Sequence, residues 1–207
     1  MPVLEKEARE RFAAAPSRVD DGPEGNGRLT AAVAVVLLPL LAVEGVTLLA
    51  LRQLLPVHLF VGALLLAPVA LKLGSTGYRF ARYYTRAHAY RVKGPPALAL
   101  RLIAPIVVVT SVVMFASGVA LMIAGPSYRD SLLPIHKVSF VVWVLFTGVH
   151  VLGHLLELPA PVRAELGPEA GVAGRSLRLM LVVVAIGGGV ALGLWALTYA
   201  GPWQATF

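Results

Sequence analysis

The chain has 207 residues, of which 57% are hydrophobic and only 14% charged, and its formal net charge is +7. A soluble domain carries about 25% charged residues. The composition therefore indicates an integral membrane protein with the lipid bilayer as its main partner. The positive charge is typical of Lys and Arg retained in cytoplasmic loops rather than of nucleic-acid binding. The lack of cysteine excludes disulfides, thiolate metal sites, iron–sulfur clusters and c-type haem attachment.

The predicted elements begin with a polar tail, residues 1–28, in which we expect a helix over Leu4–Ala15. The tail lacks the layout of a signal peptide. Five apolar segments follow, each near the ~20 residues that cross a hydrocarbon core. They are Leu29–Leu51, Pro56–Leu73, Leu100–Ala124, Pro134–Leu156 and Leu177–Tyr199. The chain thus divides into a tail (1–28), a four-helix core (29–158), a cytoplasmic loop (159–176), a fifth transmembrane helix (177–200) and an outer tail (201–207).

The charges of the loops predict the orientation. The loop between the second and third helices has no acidic residue and six cations, namely Arg79, Arg82, Arg86, Arg91, Lys93 and Arg101. The loop after the fourth helix mixes both signs, with Arg163, Arg175 and Arg178 against Glu157, Glu165 and Glu169. The positive-inside rule then predicts a cytoplasmic amino terminus, and the preference for arginine over lysine is typical of a GC-rich bacterium. We expect "GYRFARYYTRAHAY" to extend the second helix along the interface, and Trp203 and Tyr199 to lie in the outer aromatic belt.

A repeat relates the first two pairs of helices. "LLPVH" ends at His58 and "LLPIH" ends at His136, while "VEGVTLL", with Gly45, corresponds to "ASGVALM", with Gly118. Such repeats are related by a pseudo-twofold axis along the membrane normal. The predicted fold is therefore an all-α integral membrane protein, in which duplicated helical hairpins form a four-helix transmembrane bundle and a fifth transmembrane helix is added.

The two histidines of the repeat are the main candidates for function. A titratable ring within an apolar helix is costly and normally faces the bundle with a partner. Two rings on equivalent helices can face one another, and haem iron with two axial histidines fits that geometry. Gly45 and Gly118 would leave room for the haem edge. The alternative is a pair of helix-end histidines capped by loop carbonyls or water, with the glycines serving close packing only.

Further candidates lie deeper along the same helices. His150 follows His136 by fourteen residues, about 21 Å of helical rise on nearly the same face, and His154 follows one turn later. The residue fourteen positions after His58 is Lys72.

Histidines fourteen residues apart on paired helices resemble the four-helix core of the cytochrome b superfamily, over about Arg28–Leu158. The resemblance implies that His58 and His136 are axial ligands of an outer haem b, with Gly45 and Gly118 as its clearance residues. The segment "GYRFARYY…KGPP" is also similar to membrane proteins of actinobacteria, which adds no activity.

The chain departs from this family at Lys72, where the family has a histidine. Three interpretations stay open: no inner haem, a haem ligated by His150 and Lys72 or another group, or a different use of His150 and His154 such as proton handling. We favour one haem, at the outer site, with a second left open.

Three charged residues border the proposed haem. Arg52 and Arg129, in the outer loops, are candidates for pairing with its propionates or for ordinary headgroup contact. Glu44, an acid within the first helix, is a candidate acceptor for a ligating histidine, or a residue at the water boundary.

These residues predict a b-type cytochrome of the bacterial cytoplasmic membrane that transfers single electrons. The donor would be a quinol, a partner protein or a small reductant, and the sequence leaves open whether the protein is an enzyme or an electron relay. The alternative is a haem-free transporter, scaffold or assembly subunit. The fifth helix, with Gly187–Gly189 and Gly193, is expected to close the bundle or to contact a partner subunit or second copy.

Overall fold

A computed structural model describes residues 22–85, 88–93, 98–155, 157–167 and 174–206. All regular structure in these ranges is helical, as predicted. The helices are α1 (Pro23–Thr47), α2 (Leu51–Tyr84), α3 (His88–Lys93), α4 (Leu98–Ala124), α5 (Arg129–Leu155), α6 (Pro159–Leu166), α7 (Arg175–Leu197) and α8 (Ala200–Gln204). The 3₁₀ turns Leu48–Ala50 and Pro126–Tyr128 join α1 to α2 and α4 to α5. The helix predicted over Leu4–Ala15 lies outside the described residues.

Four helical stretches are long and apolar enough to cross a membrane. Three are Leu100–Ala124, Pro126–Leu155 and Arg175–Leu197, and the fourth is the 62-residue stretch Pro23–Tyr84, which contains α1 and α2. Their outward side chains are apolar, and only 6% of the most apolar window of Pro126–Leu155 is buried. Such lengths and such a surface are compatible with a membrane-embedded protein.

The two 3₁₀ turns fold the chain into two helical hairpins. Ala50, with φ −143° and ψ 49°, departs from helical geometry and separates α2 from the first turn. Gly125 ends α4 at φ +78°, in the left-handed region that favours glycine. As a result α1 packs along α2, and α4 packs along α5. We call the end of the bundle with these turns the turn end, and the opposite end, with α6 and Tyr78–Tyr84, the basic end.

Helix α7 packs closely on α2 through glycines. A Cβ atom at Gly189 would collide with the carbonyl oxygen of Leu64, and one at Gly193 would lie 2.8 Å from the Phe60 ring. A Cβ at Gly187 would meet nothing within 4 Å. Of the two roles predicted for this glycine-rich segment, Gly189 and Gly193 thus perform the first and close the helix bundle.

The main hydrophobic core lies between α1, α2 and α7. Its buried members include Val33 and Leu37 from α1, Leu65 from α2 and Val182 from α7. Leu65 and Val33 are each only 1% exposed. Phe115 of α4 packs against this core, so the second hairpin is attached to the first near mid-length.

Several predicted boundaries differ from the structure at the basic end. Helix α1 begins at Pro23 rather than Leu29, because proline is favoured in a first helical turn and Glu24 lies at the positive end of the helix dipole. Helix α2 continues to Tyr84, as expected for the arginine–tyrosine segment. The region 159–176, predicted as a loop, contains the short helix α6.

A buried ion pair attaches α6 to α7. Arg178 Nε and Nη2 donate to Glu165 Oε1 and Oε2, each at 2.9 Å, and Glu165 is completely buried. Bidentate pairing of this kind satisfies both carboxylate oxygens. Because α6 also packs against α1, the pair fixes the basic end of α7 beside the first hairpin.

The carboxyl-terminal helix α8 turns back over the turn end. Trp203, expected in the outer aromatic belt, is only 9% exposed and packs against Leu55 and Leu121. Because these two leucines belong to different hairpins, Trp203 fills the space between the hairpins at this end.

Candidate functional site

His58 lies near the start of α2, at the turn end, and is held by α1. Its Nδ1 atom is 2.8 Å from Glu44 Oε1 and 3.0 Å from Thr47 Oγ1. The Thr47 hydroxyl donates its own proton to the Glu44 carbonyl oxygen at 2.6 Å, so its oxygen is left as an acceptor. Since carboxylates also accept, Nδ1 of His58 carries the ring proton.

His136 lies near the start of α5 and is held by α4 in a similar manner. Its Nδ1 atom is 3.0 Å from the Met114 carbonyl oxygen and 3.2 Å from Ser117 Oγ. The Ser117 hydroxyl donates to the same carbonyl at 2.9 Å. A carbonyl oxygen can only accept, so Nδ1 of His136 also carries the proton.

Equivalent positions of the sequence repeat hold the two rings. Glu44 directly precedes Gly45, Ser117 directly precedes Gly118, and each contacts Nδ1 of the histidine in its own hairpin. In the described part of the chain, Nε2 of neither ring has a hydrogen-bond partner. A neutral imidazole protonated on Nδ1 presents the lone pair of Nε2, which is the form that binds a metal.

The two histidines, which we call the turn-end pair, come from different hairpins and lie within range of an electrostatic interaction with each other. Both are half-buried, and the His58 side chain is 20% exposed. The turn end therefore carries two imidazole rings, one from each hairpin, whose Nε2 atoms have no hydrogen-bond partner among the described residues.

The predicted clearance glycines differ in their surroundings. A Cβ atom on Gly118 would lie 3.0 Å from Cε1 of His136, so Gly118 makes room for the imidazole itself. One on Gly45 would meet nothing within 4 Å, so Gly45 borders open space. Gly62, which the sequence analysis did not single out, makes room for the Glu44 carboxylate, because its Cβ would lie 3.2 Å from Oε1.

The predicted arginines both lie at the turn end. Arg52 is exposed in the first turn of α2. Arg129 begins α5 and lines a surface groove together with Asp130 and Lys137. Both arginines therefore lie in the first turns of the helices that carry the turn-end pair.

The lysine predicted at the inner position is engaged by the backbone. Lys72 Nζ donates to the Thr30 carbonyl oxygen at 3.2 Å. The contact belongs to a polar group between α1 and α2, in which the Thr30 and Ser75 hydroxyls are 3.2 Å apart and Asn26 donates to the Ser75 carbonyl. This network keeps the amine between α1 and α2.

His150 and His154 share one face of α5, as predicted, with ring centroids 4.9 Å apart. His150 lies within electrostatic range of Lys72, and its Nδ1 atom is buried without a partner among the described residues. His154 Nδ1 is 2.9 Å from Glu157 Oε2, and that carboxylate is largely exposed. The structure therefore leaves Nδ1 of His150 buried without a partner among the described residues, while His154 faces the surface.

Three groups that hold the turn-end pair were not predicted from the sequence: the hydroxyls of Thr47 and Ser117 and the carbonyl of Met114. Ser117 carried a usable signal, because it is aligned with Glu44, which was recognised as a candidate acceptor. Thr47 is aligned with Ala120, and any residue can supply a carbonyl, so these two contacts have no counterpart in the repeat pattern.

Within the described ranges, no group of three or more His, Cys, Asp or Glu side chains converges. The comparison with protein-family models gave no match, and the comparisons with curated proteins and with solved structures gave none either.

Proposed function

We propose that this protein is a membrane-embedded b-type cytochrome that carries single electrons through one haem b, with His58 and His136 as axial ligands. The main support for the proposal is that the two rings have the same pattern of hydrogen bonds. Each is bound at Nδ1 by acceptors of its own hairpin, and each Nε2 lacks a partner among the described residues. Metal-ligating histidines usually donate their other N–H to a carboxylate or carbonyl.

Two ligands fit a haem better than they fit a bare metal ion. A structural zinc site needs four protein ligands and a catalytic one needs three, and the described residues offer no such group. Haem iron takes its equatorial nitrogens from the porphyrin and needs only two axial ligands from the protein. When bound, the haem supplies reversible one-electron chemistry.

The surroundings of the two ligands differ, which gives the chain a means of setting the redox potential. The Glu44 carboxylate beside His58 raises the basicity of that ring and adds negative charge. The acceptors of His136, a carbonyl and a hydroxyl, are neutral. The sequence contains no Gly-rich phosphate loop or βαβ pattern that would bind a nucleotide or flavin, so the proposed donor is a quinol, a partner protein or a small reductant.

The proposed topology has five crossings in the bacterial cytoplasmic membrane. In it α1 and α2 cross separately, the two hairpins are duplicates, and α7 is the fifth crossing. The equivalent contacts of Glu44 and Ser117 support the duplication. The cations of the loop after α2 support a cytoplasmic basic end, and the proposed haem then lies in the outer half of the bilayer.

The proposal contains one haem because the inner position lacks a second histidine. Lys72 occupies that position, and its amine donates to the Thr30 carbonyl. An ammonium group has no lone pair for iron. Binding there would require both deprotonation and loss of this hydrogen bond.

The test is a reduced-minus-oxidised spectrum of the purified protein with a haem-to-protein ratio. We expect a Soret band and an α-band with one haem per chain, and loss of both in His58→Ala and His136→Ala. His88→Ala, at an exposed position of α3, should keep both bands and is the control. Unchanged bands in the first two variants would overturn the ligand assignment. A folded but colourless wild type would favour the haem-free alternative.

A further inference from the structure

Trp203 is the side chain of α8 that enters the bundle. It is buried against Leu55 of the first hairpin and Leu121 of the second, with Leu59, Leu132 and Leu133 also packed on this cluster. On α2, Leu55 and Leu59 lie three residues before and one residue after His58. On α5, Leu132 and Leu133 lie one helical turn before His136. The indole therefore lies at the level of the turn-end pair, on the side nearer the end of the bundle.

The Trp203 indole N–H is buried and has no hydrogen-bond partner among the described residues. A buried tryptophan N–H normally finds an acceptor, because an unsatisfied buried donor is costly. The leucine side chains around it cannot accept a hydrogen bond. For comparison, the buried indole of Trp143 donates to Ser111 Oγ at 2.8 Å. The missing acceptor at Trp203 therefore points to a group outside the described residues.

We propose that the Trp203 N–H donates a hydrogen bond to an oxygen of the group held by His58 and His136, and that α8 thereby retains this group in the bundle. This inference rests on the proposed function. The only oxygen atoms of haem b belong to its two propionates, so the acceptor is a propionate carboxylate. Trp203 is thus a cofactor-binding residue supplied from outside the two hairpins.

Three features agree with this assignment. Arg52 and Arg129 lie in the first turns of α2 and α5 at the same end of the bundle, and cations of this kind pair with carboxylates. The indole contacts both hairpins, as a residue that covers a shared ligand must. A neutral N–H bound to a carboxylate forms a charge-assisted bond, which is stronger than a bond between two neutral groups.

The test compares Trp203→Phe with wild type by the rate at which haem is lost to excess apomyoglobin. Phenylalanine keeps an aromatic ring in the cluster but removes the donor. We expect haem loss to be about tenfold faster or more, the factor for one hydrogen bond to a charged group. Trp195→Phe, at a side chain that is 41% exposed, should leave the rate unchanged. A wild-type rate in Trp203→Phe would overturn the inference while leaving the proposed function intact.

Reconstitution with haem dimethyl ester separates the hydrogen bond from ring packing. Esterification removes the carboxylate charge, so the difference between Trp203→Phe and wild type should shrink. An equal difference with both porphyrins would assign the effect to packing and overturn the inference. If Trp203→Phe does not fold, the ¹⁵N-indole resonance of Trp203 in wild type should still shift between the two porphyrins, and an unchanged resonance would be contrary evidence. If the wild-type protein binds neither porphyrin, the result contradicts the proposed function itself and not only the role of Trp203.

Discussion

Glu44 is charged, whereas Ser117, its counterpart in the repeat, is neutral. The negative charge therefore lies beside His58 and not beside His136. The Oε1 atom of Glu44 contacts His58 Nδ1 at 2.8 Å, and the side chain is only 16% exposed, so water screens the carboxylate weakly. Ser117, in the equivalent position, presents a neutral hydroxyl to His136. A negative charge next to one ligand favours the oxidised, more positive iron, so Glu44 should lower the midpoint potential.

Glu44→Gln should therefore raise the midpoint potential of the bound haem. The glutamine keeps the size of the side chain and an acceptor oxygen but removes the charge. Each 1.4 kcal/mol of lost stabilisation of the oxidised state would raise the potential by about 59 mV. Spectroscopic redox titration measures the change, with Ser117→Ala as the charge-neutral control. An unaltered potential and visible spectrum in Glu44→Gln would remove Glu44 as a tuning residue.

Gly118→Ala should disturb the His136 ring directly. The added Cβ would lie 3.0 Å from Cε1, and overpacking of this kind costs about 1–3 kcal/mol. We expect haem to be lost about tenfold faster, measured by transfer to apomyoglobin.

Gly45→Ala has no protein atom within 4 Å of the new Cβ. Slower haem uptake in Gly45→Ala would mean that the haem edge occupies this open space, and wild-type uptake would exclude the clearance role predicted for Gly45.

Only part of the site is predictable from single residues. The repeat singled out both histidines and, through Glu44, one of their Nδ1 partners. The contact with the Met114 carbonyl could not be predicted from the sequence, because every residue has a carbonyl group. The burial of Trp203 was not predicted, because its neighbours, Leu55 and Leu121, are distant in the chain and no local pattern marks the contact.

At the scale of elements, the position of α2 and hence of His58 depends on α7. The two helices approach so closely at Gly189 that any side chain there would meet the Leu64 backbone, which is part of the helix and cannot move alone. Small residues at helix interfaces of membrane proteins allow this close approach. The Gly-rich stretch of α7 is thus a packing surface for the helix that bears a proposed ligand.

Gly189→Ala should separate α7 from α2 and lower the thermal stability of the protein in detergent. We expect destabilisation of about 1–3 kcal/mol from overpacking, measured by thermal unfolding. Gly187→Ala is the matched control. It lies two residues away with open space around it, and the better helix propensity of alanine should stabilise by up to about 1 kcal/mol. Equal effects of the two substitutions would contradict the packing described for Gly189.

The type of each long helix was predictable, whereas several ends were not. Apolar length alone predicts the long helices. Their ends depend on capping and tertiary contacts, so α1 starts six residues early at Pro23. The helix α6 is too short and polar to stand out, and it is held by the Glu165–Arg178 pair, which links residues thirteen positions apart.

For the whole molecule, the two hairpins carry different groups at the basic end. At the turn end each hairpin contributes one histidine with a protonated Nδ1. At the basic end the second hairpin contributes His150, and the first contributes Lys72, which binds the Thr30 carbonyl. His150 lies within electrostatic range of Lys72 and has a buried, unpartnered Nδ1 among the described residues. The basic end therefore has one imidazole in position and a cation where the second would be.

Lys72→His should create a second haem site and raise the haem content from one to two per chain. The substitution replaces an amine that could bind iron only after losing a proton and its hydrogen bond to Thr30. It places an imidazole fourteen residues from His58, the spacing that separates His136 and His150. It also gives up the hydrogen bond to Thr30, at a cost of about 1 kcal/mol, which is small beside the binding of a haem by two axial ligands. Pyridine haemochrome analysis against protein concentration measures the ratio. Lys137→His, at an exposed position of α5, should stay at one, and Lys72→His combined with His150→Ala should return to one. A ratio of one in Lys72→His, with the first haem intact, would mean that the hairpins are not spaced alike at their two ends.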